Sequence, residues 1–235
     1  GTDKEWYEYW KKERLNWYLD LGIKKENIKI EELSKEDIAH YSRGTSEIWY
    51  NWPFMGFGEL EGIANRGDYD LSQHSKFSGQ ELTYFDEEEN RRYTPYVIEP
   101  SVGVGRLMLA FLIDAYSEEE KRVVLKLDPR LSPVKVAVFP LLANKLPLAK
   151  LARGIYDNLK KQINGQVLFD DRGNIGKRYF SQDEIGTPFC ITVDFQSLKD
   201  KMVTVRNRDT MKQERVKIDN LNHYLRNNLE GKSDA

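Results

Sequence analysis

The chain has 235 residues, 40% of them hydrophobic and 31% charged, with a formal net charge of −2, long enough for two domains that each bury a core. No apolar run reaches the length of a membrane span, a single cysteine cannot form an internal disulfide, and three scattered histidines exclude a transition-metal cluster. Charge is uneven: residues 1–132 hold 18 Lys/Arg against 26 Asp/Glu, and residues 133–235 hold 18 against 12. A basic half of that modest excess suits either a phosphate backbone or an ordinary solvated surface.

The start, Gly1-Thr-Asp-Lys-Glu-Trp6, lacks the basic stretch and apolar core of a secretory signal, so a reducing cytoplasm is the expectation. Thr2 and Glu5 stand in capping-box spacing, and Trp6, Trp10 and Trp17 recur at helical intervals until Leu21-Gly22 ends the run. The pattern predicts a helix whose aromatic stripe is core. A second short helix is expected near 34–41, starting at Ser34. From Glu47 to Ala64 the period changes to two, which predicts two strands joined through Pro53 to Gly56, with Glu59 and Glu61 on one face. Residues 65–80 are polar and loop-like with one helical turn expected. Leu82–Phe85 and Tyr93–Ile98 read as a hairpin around the charged turn 86–92.

The second strand of that hairpin delivers Glu99, and Glu99-Pro-Ser-Val-Gly-Val-Gly-Arg106 runs into the apolar segment Leu107–Ile113. Glycines at 103 and 105 let backbone approach a ligand, the helix that follows presents free N–H groups, and Arg106 adds a guanidinium suited to phosphate. Glu99 and Ser101, two residues apart on extended chain, point to one side, where a carboxylate and a hydroxyl can hold an ammonium group. The plain alternative is a glycine turn at a strand-to-helix junction with Arg106 solvated. The helix at 103–116 is apolar nearly all round and is expected to be buried behind the site.

Asp128-Pro-Arg-Leu-Ser-Pro133 is the expected domain boundary. Beyond it come a strand (134–139), an amphipathic helix (147–162) carrying Leu151, Ile155 and Leu159, a strand (166–169), a helix (175–186), strands at 188–193, 203–206 and 214–216, and a closing helix (218–229). This alternation predicts a compact α/β domain with a mixed sheet. Cys190, in the apolar run Pro188–Val193, is expected as a buried small side chain.

The ordered segments Gly58-Glu-Leu-Glu-Gly-Ile-Ala-Asn-Arg66, Tyr69–His74, 99–101 and 103–106 resemble glycyl-tRNA synthetases of the dimeric class II type. Asp171–Tyr179, Gln182–Cys190 and Val203–Thr210 are similar to the anticodon-binding domain of that enzyme and its threonyl, prolyl and histidyl relatives. The resemblance implies an α+β catalytic portion built on an antiparallel sheet (1–127), a linker (128–133), an α/β anticodon-binding domain (134–230) and a tail (231–235). It implies an ATP-dependent glycine–tRNA ligase, cytoplasmic, homodimeric and without membrane contact.

By resemblance, Glu59, Leu60, Gly103, Val104, Gly105 and Arg106 meet ATP, with Arg106 catalytic and Glu59 a ligand to an ATP-bound Mg²⁺. Glu99, Pro100, Ser101, Val102 and Gly103 meet glycine. Arg178, Gln182, Glu184, Arg206 and Arg208 meet the tRNA anticodon. The first two class II signatures are not recognisable here, so the chain is expected to be the C-terminal part of such an enzyme and inactive alone; a non-catalytic tRNA-binding or accessory protein is the rival expectation.

Overall fold

The computed structural model describes residues 2–34 and 36–230, in two compact units, Gly1–Asp114 and Ala115–Ala235. The tail at 231–235 lies outside the described residues. The first unit runs α1 (Asp3–Asp20), β1 (Ile28–Glu32), β2 (Gly44–Trp52), β3 (Gly56–Gly67), α2 (Tyr69–Ser78), β4 (Tyr84–Asp86), β5 (Arg91–Tyr93), β6 (Val97–Val102) and α3 (Val104–Ala115). Its main sheet is antiparallel throughout, in the order β1-β2-β3-β6.

The helix α1 forms where it was expected but faces the other way. Trp6, Trp10 and Trp17 are exposed, Trp6 by 53%, and Thr2 makes no side-chain capping bond. The inward stripe is instead polar: Tyr7, Lys11, Arg14 and Tyr18, spaced for one helix face. Tyr7 Oη lies 2.5 Å from Ser46 Oγ, Lys11 pairs with Glu32 at 2.5 Å, and Arg14 and Tyr18 both donate to Glu61 at 2.6 Å. Ser46 and Glu61 are buried on the sheet's inner face, where unpaired polar groups are costly, so their need for partners decides which side of α1 turns inward, with Glu32 at the exposed end of the same face. Burial and then hydrogen bonding to Glu61 push the Tyr18 phenol well above its usual range.

Several local expectations change. No helix forms among the described residues of 34–41, which make turns closed by Asp37 N–H to Ser34 O and Ser42 N–H to Ala39 O. Residues 69–78 form the full helix α2 rather than one turn, ended by Gly79 at φ 70°, a conformation glycine adopts freely. The hairpin β4/β5 is short, pairing Asp86 with Arg91, and β6 joins the main sheet instead. The helix α3 buries Ala110, Phe111 and Asp114 but exposes Val104, Met108 and Leu112, so only one side of it is core. Phe111 stacks on Tyr18 at 6.0 Å, and Asp114 accepts from Lys24 N, Asn27 Nδ2 and Tyr50 Oη.

The second unit comprises β7 (Tyr116–Glu119), β8 (Arg122–Leu125), β9 (Val134–Pro140), α4 (Leu146–Gln162), β10 (Gln166–Phe169), α5 (Ile175–Glu184), β11 (Phe189–Val193), α6 (Ser197–Asp200), β12 (Met202–Asn207), β13 (Gln213–Lys217) and α7 (Leu221–Leu229). Its mixed sheet has the order β10-β9-β11-β12-β13, with β9 parallel to β10 and β11 and the remaining pairs antiparallel. Alternation of period two splits β9 between two cores. Val136 and Val138 join Leu148, Ile155, Ile191 and Leu225 on one side, while Ala137 and Phe139 join Cys190 on the other. Burial pushes the Cys190 thiol well up, consistent with an inert packing residue. The units divide between Asp114 and Ala115, ahead of 128–133. The hairpin β7/β8 belongs with the second unit because Arg122, 2% exposed in its side chain, pairs at 2.8 Å with Asp183 of α5.

Candidate active site

The sheet of the first unit has one face packed by α1 and one open face, and strand register decides which residues stand on the open one. Across β2, β3 and β6, Glu47 pairs with Gly62 and Gly62 with Ser101; one step along, Thr45 pairs with Ala64 and Ala64 with Glu99. Glu99 and Ser101 therefore share the open face, over two small residues of β3, Ala64 and Gly62. A Cβ added at Gly62 would meet nothing within 4 Å, so backbone floors the space between Glu47 and Ser101. Pro100, paired with Ile63, and Val102, paired with Glu61, fall on the inner face and contribute backbone rather than side chain.

Glu59 and Glu61 do not share a face. Trp49 pairs with Glu59 and Ile48 with Glu61, leaving Leu60 unpaired, and that β-bulge reverses the alternation. Glu61 drops into the interior, 1% exposed, on Arg14 and Tyr18. Leu60 is likewise buried, so of this pair only Glu59 presents its side chain outward. Arg106, in the first turn of α3, donates to the Glu59 carbonyl at 3.1 Å and lies 3.5 Å from its Oε2. Beside this pair a 470 Å³ cleft is lined by Trp52, Phe54, Met55, Gly105 and Leu109. Flat apolar walls with one guanidinium and one carboxylate at the rim suit a heteroaromatic ring carrying phosphates. Gly103 and Val104 are exposed at the helix start, where free N–H groups favour an anion.

Arg66 is a site residue that the sequence alone did not single out. It stacks over Tyr41 at 4.2 Å, grips Asp70 through Nε and Nη2 at 2.5 and 3.0 Å, and donates from Nη1 to Glu99 Oε2 at 2.6 Å. Hydrogen bonding to Asp70, then to Glu99, pushes the guanidinium further above its ordinary value, and the bond to Arg66 holds Asp70 below the usual carboxylate range. Arg66 thus fixes Glu99 in place. The signal available in sequence was the four-residue spacing of Arg66 and Asp70. Among the described residues no group of three His, Cys, Asp or Glu converges as a metal cage. The lone half-exposed carboxylate of Glu59 fits Mg²⁺ only in the form that ion favours, with phosphates and water completing its shell.

In the second unit the five expected RNA-facing residues divide sharply. Arg178, Gln182, Arg206 and Arg208 are buried, between 2% and 5% exposed, and Glu184 alone is exposed. Arg206 makes a two-bond pair with Asp183 at 2.8 and 2.9 Å. Arg208 donates to the carbonyls of Gly186 and Leu127 at 2.7 and 2.6 Å. Arg178 donates to Pro140 and Gly173 carbonyls, and Gln182 accepts from Thr187 Oγ1. Four of the five side chains are turned inward to hold strand and helix ends, not outward to a partner. For Arg206 the reason is register: it pairs with Cys190 and so projects into the same side as Tyr179, over whose ring it lies at 4.9 Å.

Residues 135–228 match a family model described as an anticodon binding domain. The chain is 56% identical to the glycine–tRNA ligase of Thermobifida fusca over 98% of this chain and 52% of that protein. For the glycine–tRNA ligase of Streptomyces coelicolor the identity is 55% over 98% and 52%, and for that of Caldanaerobacter subterraneus subsp. tengcongensis it is 52% over 97% and 49%. The chain thus spans about half the length of the curated relatives it matches. Among solved structures, prolyl-tRNA synthetase from Cryptosporidium parvum, complexed with L-proline and AMP, aligns with a TM-score of 0.70 at 20% identity, covering 97% of this chain and 47% of that one. At that identity the likeness shows a shared fold.

Proposed function

We propose, for a chain that belongs to the glycine–tRNA ligase family, that its open sheet face holds glycine and ATP for formation of glycyl-adenylate and that its second unit engages glycine tRNA. The observation that carries this reading is the placement of Glu99 and Ser101 on one face above Gly62 and Ala64, with Arg106 and Glu59 beside the aromatic cleft. Glycine has no side chain to grip, so its site must hold the ammonium group by fixed acceptors and leave little room beyond the α carbon. Glu99, pinned by Arg66, is such an acceptor.

The glycine carboxylate attacks the α phosphorus of ATP, and pyrophosphate leaves with the electron pair of the broken bond. The terminal ribose hydroxyl of tRNA then takes the glycyl group and AMP departs. No protein nucleophile is needed; catalysis rests on orientation and on neutralising phosphate charge. Arg106 supplies part of that charge from the helix start. Mg²⁺, arriving with ATP, would be met by Glu59 and would add further positive charge at the phosphates.

For tRNA, the match at 135–228 supports contact with the anticodon end, made by exposed residues such as Glu184 and not by the four buried side chains. A homodimer and a cytoplasmic setting rest on the family alone; no helix among the described residues is long and apolar enough to cross a membrane. The test is glycine-dependent ATP–pyrophosphate exchange by this chain, alone and joined to the half of the Thermobifida fusca sequence that it does not span. Exchange in the joined protein, lost with Arg106→Ala, supports the proposal. Absence of exchange with tRNA binding intact favours a non-catalytic tRNA-binding protein.

A further inference from the structure

The row of paired residues through Gly62 extends one strand past the expected pocket. Glu31 of β1 pairs with Glu47 of β2, Glu47 with Gly62, and Gly62 with Ser101. Glu31 is occupied by Lys29 at 2.8 Å. Glu47 is differently placed: it is half-buried, its Oε2 accepts from Trp49 Nε1 at 2.6 Å, and the residue between it and Ser101 has no side chain. Neighbouring strands lie about 4.8 Å apart, so Glu47 and Ser101 rise from backbones separated by roughly 10 Å with an open floor between them. That gap holds a group the size of an amino acid with its ammonium reached from both walls, and the open space over Gly62 is where the α carbon would lie.

We propose that Glu47 is a specificity-determining residue of the amino-acid pocket, its carboxylate meeting the glycine ammonium across Gly62 from Ser101 and Glu99. The inference rests on the glycine-binding reading of the open face. The bond from Trp49, two residues along the same strand, fixes one carboxylate oxygen, so less rotamer freedom is lost when the ligand arrives. Three acceptors around one small cation select for the ammonium and against a neutral group of equal size, because each would otherwise be left unpaired.

The test is two-dimensional NMR titration of the ¹⁵N-labelled 235-residue chain with glycine and, separately, with glycolate, which replaces the ammonium by a hydroxyl. Glu47→Gln is expected to weaken glycine by about tenfold or more, the scale of one charge-assisted hydrogen bond, while glycolate affinity stays the same. Thermal melting of each variant shows that it is folded. Gly62→Ala, which places a methyl in the open space without strain, is expected to weaken both ligands. Equal weakening of glycine and glycolate by Glu47→Gln overturns the inference, since a structural role would do that. Weakening of glycine by Ser101→Ala with none by Glu47→Gln also overturns it and leaves the glycine-binding reading standing. No shift at Gly62 or Ser101 on adding glycine to the unsubstituted chain overturns both.

Discussion

Replacing Asp183 by asparagine is expected to unfold the second unit more readily than any single loss among its arginines. Asp183 is fully buried and accepts from Arg206 at 2.8 and 2.9 Å and from Arg122 at 2.8 Å. Both guanidinium groups are nearly excluded from water, with side chains 6% and 2% exposed. A neutral amide in place of the carboxylate would leave Arg206 buried without its counter-charge and Arg122 with Glu119 alone, and breaking a buried pair in this way costs about 3–5 kcal/mol. Arg206→Met leaves the Arg122–Asp183 pair intact and is expected to cost about 1–3 kcal/mol, the loss of a charged hydrogen-bonding group. At about 3–5 °C per kcal/mol for a unit of this size, Asp183→Asn lowers the transition by roughly 10–25 °C.

Far-UV circular dichroism during heating follows the loss. All five tryptophans lie in the first unit, so their fluorescence serves as the control for damage confined to the second. A cost below about 1 kcal/mol for Asp183→Asn, or a larger cost for Arg206→Met, would refute the buried-charge argument.

Glu61→Gln removes the charge that Arg14 and Tyr18 share beneath the sheet; a loss of about 3 kcal/mol is expected in the tryptophan-monitored transition, and an unchanged midpoint would contradict it. Glu119, hydrogen-bonded first to Arg122 and then to Lys126, is held down to about 2 from 4.5. A depressed folded value means that its contribution is complete above about pH 4.5 and disappears as pH falls through about 2. Glu119→Gln is therefore expected to lower stability at neutral pH and to flatten its decline across that window; an acid titration of the same slope in both proteins counts against the pairing. Arg106→Ala is expected to weaken ATP more than glycine in equilibrium binding, because Arg106 borders the cleft at Glu59 and not the row at Gly62. An equal loss for both would make Arg106 a structural residue.

Much of the fold was legible in the sequence because hydrophobic period is a direct trace of which face is buried. The change to period two at Glu47 marked β2 and β3, and the apolar runs of the second unit marked β9 and β11 on both sides of helices. The helix α1 departs from its pattern for a physical reason. Aromatic residues at helical spacing predict an inward stripe, yet Trp6, Trp10 and Trp17 face out and Tyr7, Lys11, Arg14 and Tyr18 face in. Hydrophobicity alone orients a helix only when the surface beneath is apolar, and the surface beneath α1 contains Glu61, Ser46 and Glu32. Those partners come from strands far along the chain, so nothing within α1 announces them.

The site shows the same limit at closer range. Glu99 and Ser101 were legible as a same-face pair because two residues on one uninterrupted strand must share a face. Glu59 and Glu61 satisfy the same rule in sequence and break it in space, because Leu60 bulges and turns one carboxylate toward Arg106 and the other toward Arg14. A bulge is a property of the pairing with β2 and not of β3 by itself. The buried arginines extend the point. An arginine that reads RNA and one that ties strand ends both offer five donors in a fixed fork, and sequence shows only the residue type. Arg206 meets Asp183 because the register of β12 on β11 turns it inward, and Arg208, just past the end of β12, meets the carbonyls of Gly186 and Leu127, so what separates them from partner-facing arginines lies in chain segments distant from them in sequence. Glu47 came into view by that same route: it is ordinary in the sequence, and only its pairing with Gly62 sets it opposite Ser101.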